Sequence, residues 1–580
     1  MTVNTSLEMS KDISKPEQLI TEHIDIWTSS ILAKSTSGRG SSKKYELYGI
    51  TKLRELILEL AVRGKLVPQD ANEEPASVLL EKLSAEKANL IESGKVKKNK
   101  SLPKISNDEK WFSLPSGWKW VRFGELFQVK SGNNLSKSKM KDGNIPVFGG
   151  NGITGYHNES NVEKSTIVIG RVGYYCGSVH LTPPEAWITD NAFFTTYDEK
   201  ILFQDFVIWL LKTIDLQANT SSTAQPVISG SKIYPIVIPL PPIEEQKRIV
   251  AKVDELMLLC DQLEQQTEAS IGAHATLVEV LLATLTDSVD ADDLAQNWAR
   301  ISEHFDSLFT TEQSIEALKQ TVLQLAVMGK LVPQNPDDEP ASVLLEKIAE
   351  EKEQLVKDKV IKKEKPLPAI TVDEKPFELP QGWSWERLQN ITNLITKGSS
   401  PKWQGVQYTE DPKDILFVTS ENVGSFKLIF KNRKYVEKKF NEIESRSILQ
   451  KGDFLMNIVG ASIGRTAIYD LDISANINQA VCLIRGCPNH LNSFYLLMFF
   501  NSAICISYMF DKQVDNARAN LSMGNISKFL IPIPPLAEQH RIVAKVEELM
   551  AICDQLKAKL KQSQETQVQL TDALIDRALG

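Results

Sequence analysis

From Glu245 onward, apolar residues fall at Ile249, Val253, Leu256, Cys260 and Leu263, in alternating steps of four and three. That spacing is the seam of a heptad helix. It returns at Ile542, Val546, Leu549, Cys553, Leu556 and Leu560. A helix of about 40 residues at ~1.5 Å per residue is ~60 Å long. The pattern therefore predicts two long helices, from distant parts of the chain, pairing antiparallel about a pseudo-two-fold axis. Their lead-ins, IPLPPIEEQ and IPIPPLAEQ, suit a strand end followed by a helix start, because proline is tolerated in a first turn and not inside a helix. EPASVLLEKLSAEKANLIESGK, with Val78, Leu79, Leu83, Leu90 and Ile91 on one side, predicts a charged amphipathic helix. Elsewhere the pattern changes to short apolar runs between Gly, Asn and Ser turns: IPVFGG, STIVIGRVG, AWITDNAFFTTY, DILFVTS, GDFLMNIVGASIG and QAVCLIRG. These predict strands of small mixed α/β domains.

The chain repeats itself. LAVRGKLVPQDANEEPASVLLEKL from Leu60 recurs as LAVMGKLVPQNPDDEPASVLLEKI from Leu325, with 18 of 24 positions identical at an offset of 265. The same offset pairs LPSGWKW with LPQGWSW. PLPPIEEQKRIVAKVDELMLLCDQL from Pro239 recurs as PIPPLAEQHRIVAKVEELMAICDQL from Pro532, with 18 of 25 identical at an offset of 293. ITEHID from Ile20 echoes ISEHFD from Ile301, and the tract from Lys34 to Lys44 reads as an extra loop of the first copy. A repeated frame around unlike inserts implies a scaffold presenting two versions of one reading head. The expected fold class is α/β (α+β): two recognition domains of mixed structure separated by long conserved helices in an antiparallel coiled coil. The expected divisions are a helical region 1–117, a first recognition domain 118–238, a central helical region 239–382, a second recognition domain 383–531 and a closing helix 532–580.

The formal charge of the 580 residues is −8, which hides an uneven distribution. Residues 119–238 carry 11 Lys and Arg against 10 Asp and Glu, and residues 384–531 carry 17 against 13. The rest of the chain is net acidic, so positive charge gathers in the inserts, as expected of surfaces that meet phosphate. The six cysteines contain no C-x-x-C pair, which points to free thiols in a reducing compartment. The polar N-terminus lacks an apolar signal core, and no run approaches the ~18 consecutive apolar residues of a membrane span. A cytoplasmic location is expected.

The inserts hold residue types that read base edges or phosphates. In the first these are Asn133, Asn134, Lys137, Lys139, Asn151, His157 and Arg171, with Asn191. In the second they are Lys397, Lys402, Asn422, Asn457, Arg465, Asn478, Gln479, Arg518 and Asn520, with Asn476. Enzyme motifs fare worse. FGGNGITG from Phe148 matches both a methyltransferase F-x-G-x-G and a dinucleotide G-x-G-x-x-G. The first needs an N-P-P-Y or D-P-P-Y loop, which is absent, and the second needs a helix where YHNESN follows. Gly64-Lys65 and Gly329-Lys330 precede leucine rather than Ser or Thr, so neither is a phosphate loop, and the seven histidines show no metal-ligand spacing. No catalytic residue and no metal ligand is expected.

The two PPIEEQKRIVAKV and PPLAEQHRIVAKV blocks, LAVRGKLVPQ with EPASVLLEKL, LPSGWKW, IPVFGGNGITGYHN, MNIVGASIGR and ANINQAV resemble the specificity subunits of type I restriction-modification systems over most of the chain. The resemblance implies two target-recognition domains that read the halves of a bipartite, asymmetric DNA site, and helices that dock partners. It implies two modification subunits, which carry S-adenosylmethionine and methylate adenine, and two restriction subunits, which use ATP and Mg and cut DNA. No cofactor is then bound by this chain. It also points to Arg465 and to the loop around Arg518, with Arg171 at the comparable place in the first insert. A fused methyltransferase built on FGGNG and a coiled-coil adaptor without DNA contact are the alternatives.

Overall fold

The computed structural model describes residues 16–33, 45–92, 102–218, 226–289, 291–486, 489–511 and 521–580. Arg518, Asn520, Cys487 and the Lys34–Lys44 tract lie outside them. The chain forms two compact units, Met1–Ser270 with Ser563–Gly580, and Ile271–Gln562. Each unit contains one frame and one insert, so the five sequence segments group in a way that their linear order does not display.

Both heptad patterns become helices of 44 residues, Ile243–Thr286 and Leu536–Leu579. Their seams from Ile249 to Leu263 and from Ile542 to Leu556 are buried. Each begins in one unit and ends in the other. In the first unit the frame helix Tyr48–Val62 is the reference. Arg54 donates to Asp261 and Glu264 at 2.7 Å, and Gln69 beyond the helix donates to Glu245 at 3.0 Å. Rising numbers on one side meet falling numbers on the other, so the opening half of the first long helix runs antiparallel to the frame. Tyr48 donates to Asp572 at 2.8 Å and Lys65 to the Leu579 carbonyl at 2.7 Å, so the closing turns of the second long helix run parallel to it. The second unit repeats this with Lys319 on Asp554 at 2.7 Å and Lys330 on the Thr286 carbonyl at 2.7 Å. Within each unit, the portions of the two long helices are thus antiparallel to one another.

The repeated Gly-Lys pair closes the frame helix. Lys65 N–H donates to Leu60 and Gly64 N–H to Ala61, a Schellman arrangement, and Lys330 and Gly329 do the same to Leu325 and Ala326. Gly64 and Gly329 have φ of 67° and 72°, and a Cβ on either would stand 2.5 Å from Pro115 or Pro380. Glycine is required twice over. The faint N-terminal echo is also structural: His23 and His304 each precede a one-turn or two-turn helix with nearly the same backbone angles.

Each insert enters and leaves on one antiparallel ladder, Lys119–Arg122 with Val237–Leu240 and Ser384–Arg387 with Leu530–Ile533. Two prolines follow the exit strand and the long helix starts, as the lead-ins predict. Beyond the ladder both heads share one four-stranded antiparallel sheet. Its order is Gln128–Ser131, Ala192–Thr196, Ile167–Gly170, Val179–Leu181 in the first. In the second it is Thr392–Lys397, Val481–Gly486, Phe454–Asn457, Thr466–Ile468. A second sheet with one parallel pair accompanies each, three-stranded in the first head, with Ile145–Gly149 beside Trp187–Ile188, and four-stranded in the second, with Ile415–Val418 beside Ala475–Ile477. FGGNGITG is a hairpin turn between strands Ile145–Gly149 and Gly152–His157, without the helix that a dinucleotide site needs.

Among the described residues, the helix Ile243–Thr286 contains one 18-residue window whose mean hydropathy reaches 1.4. An average over mixed residues passes where a count of consecutive apolar residues does not. Its buried positions Val278, Leu282 and Leu285 recur every three or four residues and join Leu549, Cys553 and Leu556 in one core cluster. That is the geometry of a packed seam.

Candidate nucleic-acid interface

The frame fixes each head by two repeated polar anchors. Trp118 Nε1 donates to Glu245 Oε2 at 2.9 Å and Trp383 Nε1 to Glu538 Oε2 at 3.0 Å. Both carboxylates are buried, and desolvation pushes their pKa up against the hydrogen bonds they accept. Arg122, 2% exposed, donates to the Pro103, Lys104 and Pro235 carbonyls and to both oxygens of Glu109. Its guanidinium, with Ser106, holds Glu109 down at about 2. Arg387 repeats the arrangement on Pro368, Lys528 and Glu374. A buried arginine with its donors engaged pins the entry of the insert to its exit.

At the far end of each sheet, four turns converge. In the first head Gly132 N–H donates to Ala192, Asn133 N–H to Ile188, Arg171 N–H to Asn191 and Thr189 N–H to Phe148. In the second Gly398 N–H donates to Val481, Ile458 N–H to Ala480 and Asn478 N–H to Val418. The turn after the third sheet strand superimposes bond for bond. Gly170 N–H donates to Ser178, Cys176 to Gly173, Gly177 to Gly170 and Ile228 to Arg171. Asn457 N–H donates to Arg465, Ile463 to Gly460, Gly464 to Asn457 and Leu521 to Ile458. GRVGYYCGS from Gly170 is therefore the equivalent of NIVGASIGR from Asn457. Arg465 corresponds to Ser178 and Arg171 to Ile458, which corrects the pairing of the two arginines that their G-R context suggests.

Side chains exchange duties within this shared backbone. Ser178 Oγ donates to the Gly150 carbonyl at 2.9 Å, whereas Asn457 Nδ2 donates to the Ser420 and Val423 carbonyls at 3.0 and 3.2 Å. Arg171 is turned inward. It donates to Ser131 Oγ at 3.1 Å and the Asp190 carbonyl at 3.3 Å and lies over the Phe193 ring.

The sequence-selected residues fall into three groups. His157, Asn422, Asn457 and Asn476 are buried. His157 Nδ1 accepts from Lys141 N–H, Asn422 Oδ1 from Thr419, and Asn476 donates to Asn441 and the Glu444 carbonyl. Their polar atoms hold turns, a role that composition alone does not separate from base reading. Arg171, Asn134 and Asn478 are partly engaged: Asn134 on Asp190 at 3.0 Å and Asn478 accepting from Ala480 N–H at 3.1 Å. Asn133, Asn151, Asn191, Lys137, Lys139, Lys397, Lys402 and Arg465 are exposed and Gln479 is half-buried. The exposed aromatic residues Tyr174, Tyr175 and Trp403 stand in the same turns or next to them and were not selected by charge or amide content. Their signal is an aromatic pair bracketed by glycines, and a tryptophan following Pro-Lys.

Each head thus offers a rigid sheet end bearing amides and cations, with side chains that differ between two superimposable turns. Residues 115–273 and 380–565 match the family model described as the type I restriction modification DNA specificity domain. The chain is 39% identical to the type I restriction enzyme EcoAI specificity subunit of Escherichia coli, over 97% of this chain and all of that one. It is 38% identical to the EcoEI specificity subunit of Escherichia coli over the same shares. A crystal structure of the HsdS subunit from Thermoanaerobacter tengcongensis aligns with 81% of this chain and 98% of its own, at 19% identity and a TM-score of 0.36. The chain belongs to the specificity subunits of type I restriction-modification systems.

Proposed function

We propose that this specificity subunit reads a bipartite, asymmetric target in double-stranded DNA, one half with each head, and performs no chemistry itself. The observation that carries this reading is the pair of superimposable turns with unlike side chains, set on a frame whose anchors are repeated residue for residue. Unlike side chains on equivalent turns of two like scaffolds are what two different half-sites require. Arg465, Lys397, Lys402 and Gln479 in the second head, and Asn133, Asn151, Lys137 and Lys139 in the first, are the base and phosphate contacts in this reading. Arg518 and Asn520, which lie outside the described residues, belong to it by residue type and by resemblance.

The two long helices hold two modification subunits, and through them two restriction subunits. Exposed leucines and a valine on these helices, Leu258, Leu277, Val280 and Leu570, support the docking role. S-adenosylmethionine, ATP and Mg are bound by those partners, and the assembly works in the cytoplasm. A 44-residue helix is about 66 Å long, a length suited to setting the unread spacer between half-sites. Single-molecule mapping of modified adenines in cells expressing this chain with its modification subunit tests the proposal. A split motif with a fixed spacer, lost when either protein is omitted, is the expected result; an assembled complex leaving no motif would refute it.

A further inference from the structure

The turn after the third sheet strand holds a feature that recognition by amides and cations does not use. Tyr174 is 86% exposed and Tyr175 56%, side by side between Gly173 and Gly177. The rings meet edge to face, with centroids 5.0 Å apart at 87°. Their pedestal is stiff. Gly173 and Gly177 have φ of 97° and 85°, Gly173 N–H donates to Pro226, and Gln217 Nε2 donates to the Cys176 carbonyl at 2.6 Å. Cys176, the next residue in the chain, is buried. The second head builds the same turn with Ala461 and Ser462 in these places, so neither ring is needed to form it. Two aromatic rings held in water on a turn whose backbone bonds to that of Asn191 fit a ligand with a stacked apolar interior.

We propose that Tyr174 is a base-step wedge of the first head: its ring enters the stack of the first half-site at a flexible pyrimidine–purine step, buttressed by Tyr175. The inference rests on the reading of the head as a DNA-binding surface and adds to it a residue and a mode of contact. The second head, with alanine at the same position, leaves its half-site stacked. The two halves of the target would then differ in deformation as well as in base edges.

The test uses the chain assembled with its modification subunits and a duplex of the mapped target, with 2-aminopurine placed in turn at each position of both half-sites. Apart from the adenines that the modification subunits flip out for methylation, the wild-type complex should raise fluorescence at one step of the first half-site and at none of the second. Tyr174→Ala should abolish that rise and weaken target binding by about tenfold, with unchanged assembly and thermal stability. Tyr174→Phe should preserve both signals. A Tyr174→Ala complex with wild-type affinity and fluorescence overturns the wedge, as does a variant that loses assembly instead of DNA affinity. A wild-type complex that does not distinguish target from scrambled duplex sinks the reading of the head, and the wedge with it.

Discussion

Lys65 Nζ lies 2.7 Å from the carbonyl oxygen of Leu579, a residue 514 positions later, at the end of the second long helix. Its repeat, Lys330, makes the same bond to Thr286, the last residue of the first long helix. Each copy of the frame therefore supplies the cation that closes the other copy's helix. A lysine at a helix C-terminus meets unpaired carbonyls and the negative end of the macrodipole, an interaction of about 0.3–1 kcal/mol. Lys65→Ala and Lys330→Ala should each lower unfolding free energy by that amount and speed amide exchange in the last turn of the partner helix. Unchanged exchange in both helix ends would remove the lysines from the closure.

Glu245 and Glu538 give a pH signature. Burial raises their pKa in the folded chain, so between the unfolded and the folded pKa the folded state holds a proton that the unfolded chain has released. Stability contributed by the protonated form is complete below the unfolded carboxylate range and is lost as pH rises through the folded value. The double variant Glu245→Gln, Glu538→Gln should lack this decline. Denaturation midpoints across pH 4 to 8 check it, and a constant difference from the wild type would contradict the assignment.

Trp118 and Trp383 donate to those carboxylates. Trp118→Phe leaves a buried carboxylate short of one donor, which costs about 1–3 kcal/mol beyond the change in packing. Chemical denaturation should show a clear loss, and Trp118→Phe combined with Glu245→Leu should recover part of it. No recovery in the double variant would show that ring packing, not the hydrogen bond, dominates.

The two arginines separate structure from recognition. Arg171 braces Ser131 and the Asp190 carbonyl, so Arg171→Ala should lower the melting temperature of the chain as well as DNA affinity. Arg465 is exposed, and Arg465→Ala should weaken specific binding by about 1–3 kcal/mol if it forms a bidentate base contact, with no change in melting temperature. Calorimetry alongside binding to cognate and scrambled duplexes distinguishes them. Equal melting shifts in both variants would erase the distinction.

Entry and exit of each insert lie on one ladder, pinned by Arg122 or Arg387. Exchanging residues 119–227 for the corresponding insert of a relative should therefore change one half of the methylated motif and preserve the other half and the spacer. Methylome sequencing reads the outcome; loss of assembly in the chimera would count against modular heads.

Much of this architecture was legible in the chain itself. The heptad steps from Ile249 and Ile542 fix two helices because a 3.5-residue apolar period has only one way to bury its seam. The repeated blocks fix two equal frames, since like sequence packs alike, and the proline pairs fix where strand becomes helix. That no helix follows FGGNGITG, as a dinucleotide loop would need, was readable from YHNESN after it. What only tertiary structure decided is which polar residue faces inward. His157, Asn422 and Asn457 share their composition and their turn contexts with Asn133 and Asn151, yet the first three complete hydrogen bonds in the fold and the others meet water. The equivalence of Arg465 with Ser178 emerged from backbone hydrogen bonds, because turns tolerate unlike side chains and the shared Val-Gly-x-x-x-Gly is too short a repeat to set the pairing alone. Lys65 and Leu579 are the extreme case: local patterning sets each helix end, but only the folded chain brings them to 2.7 Å.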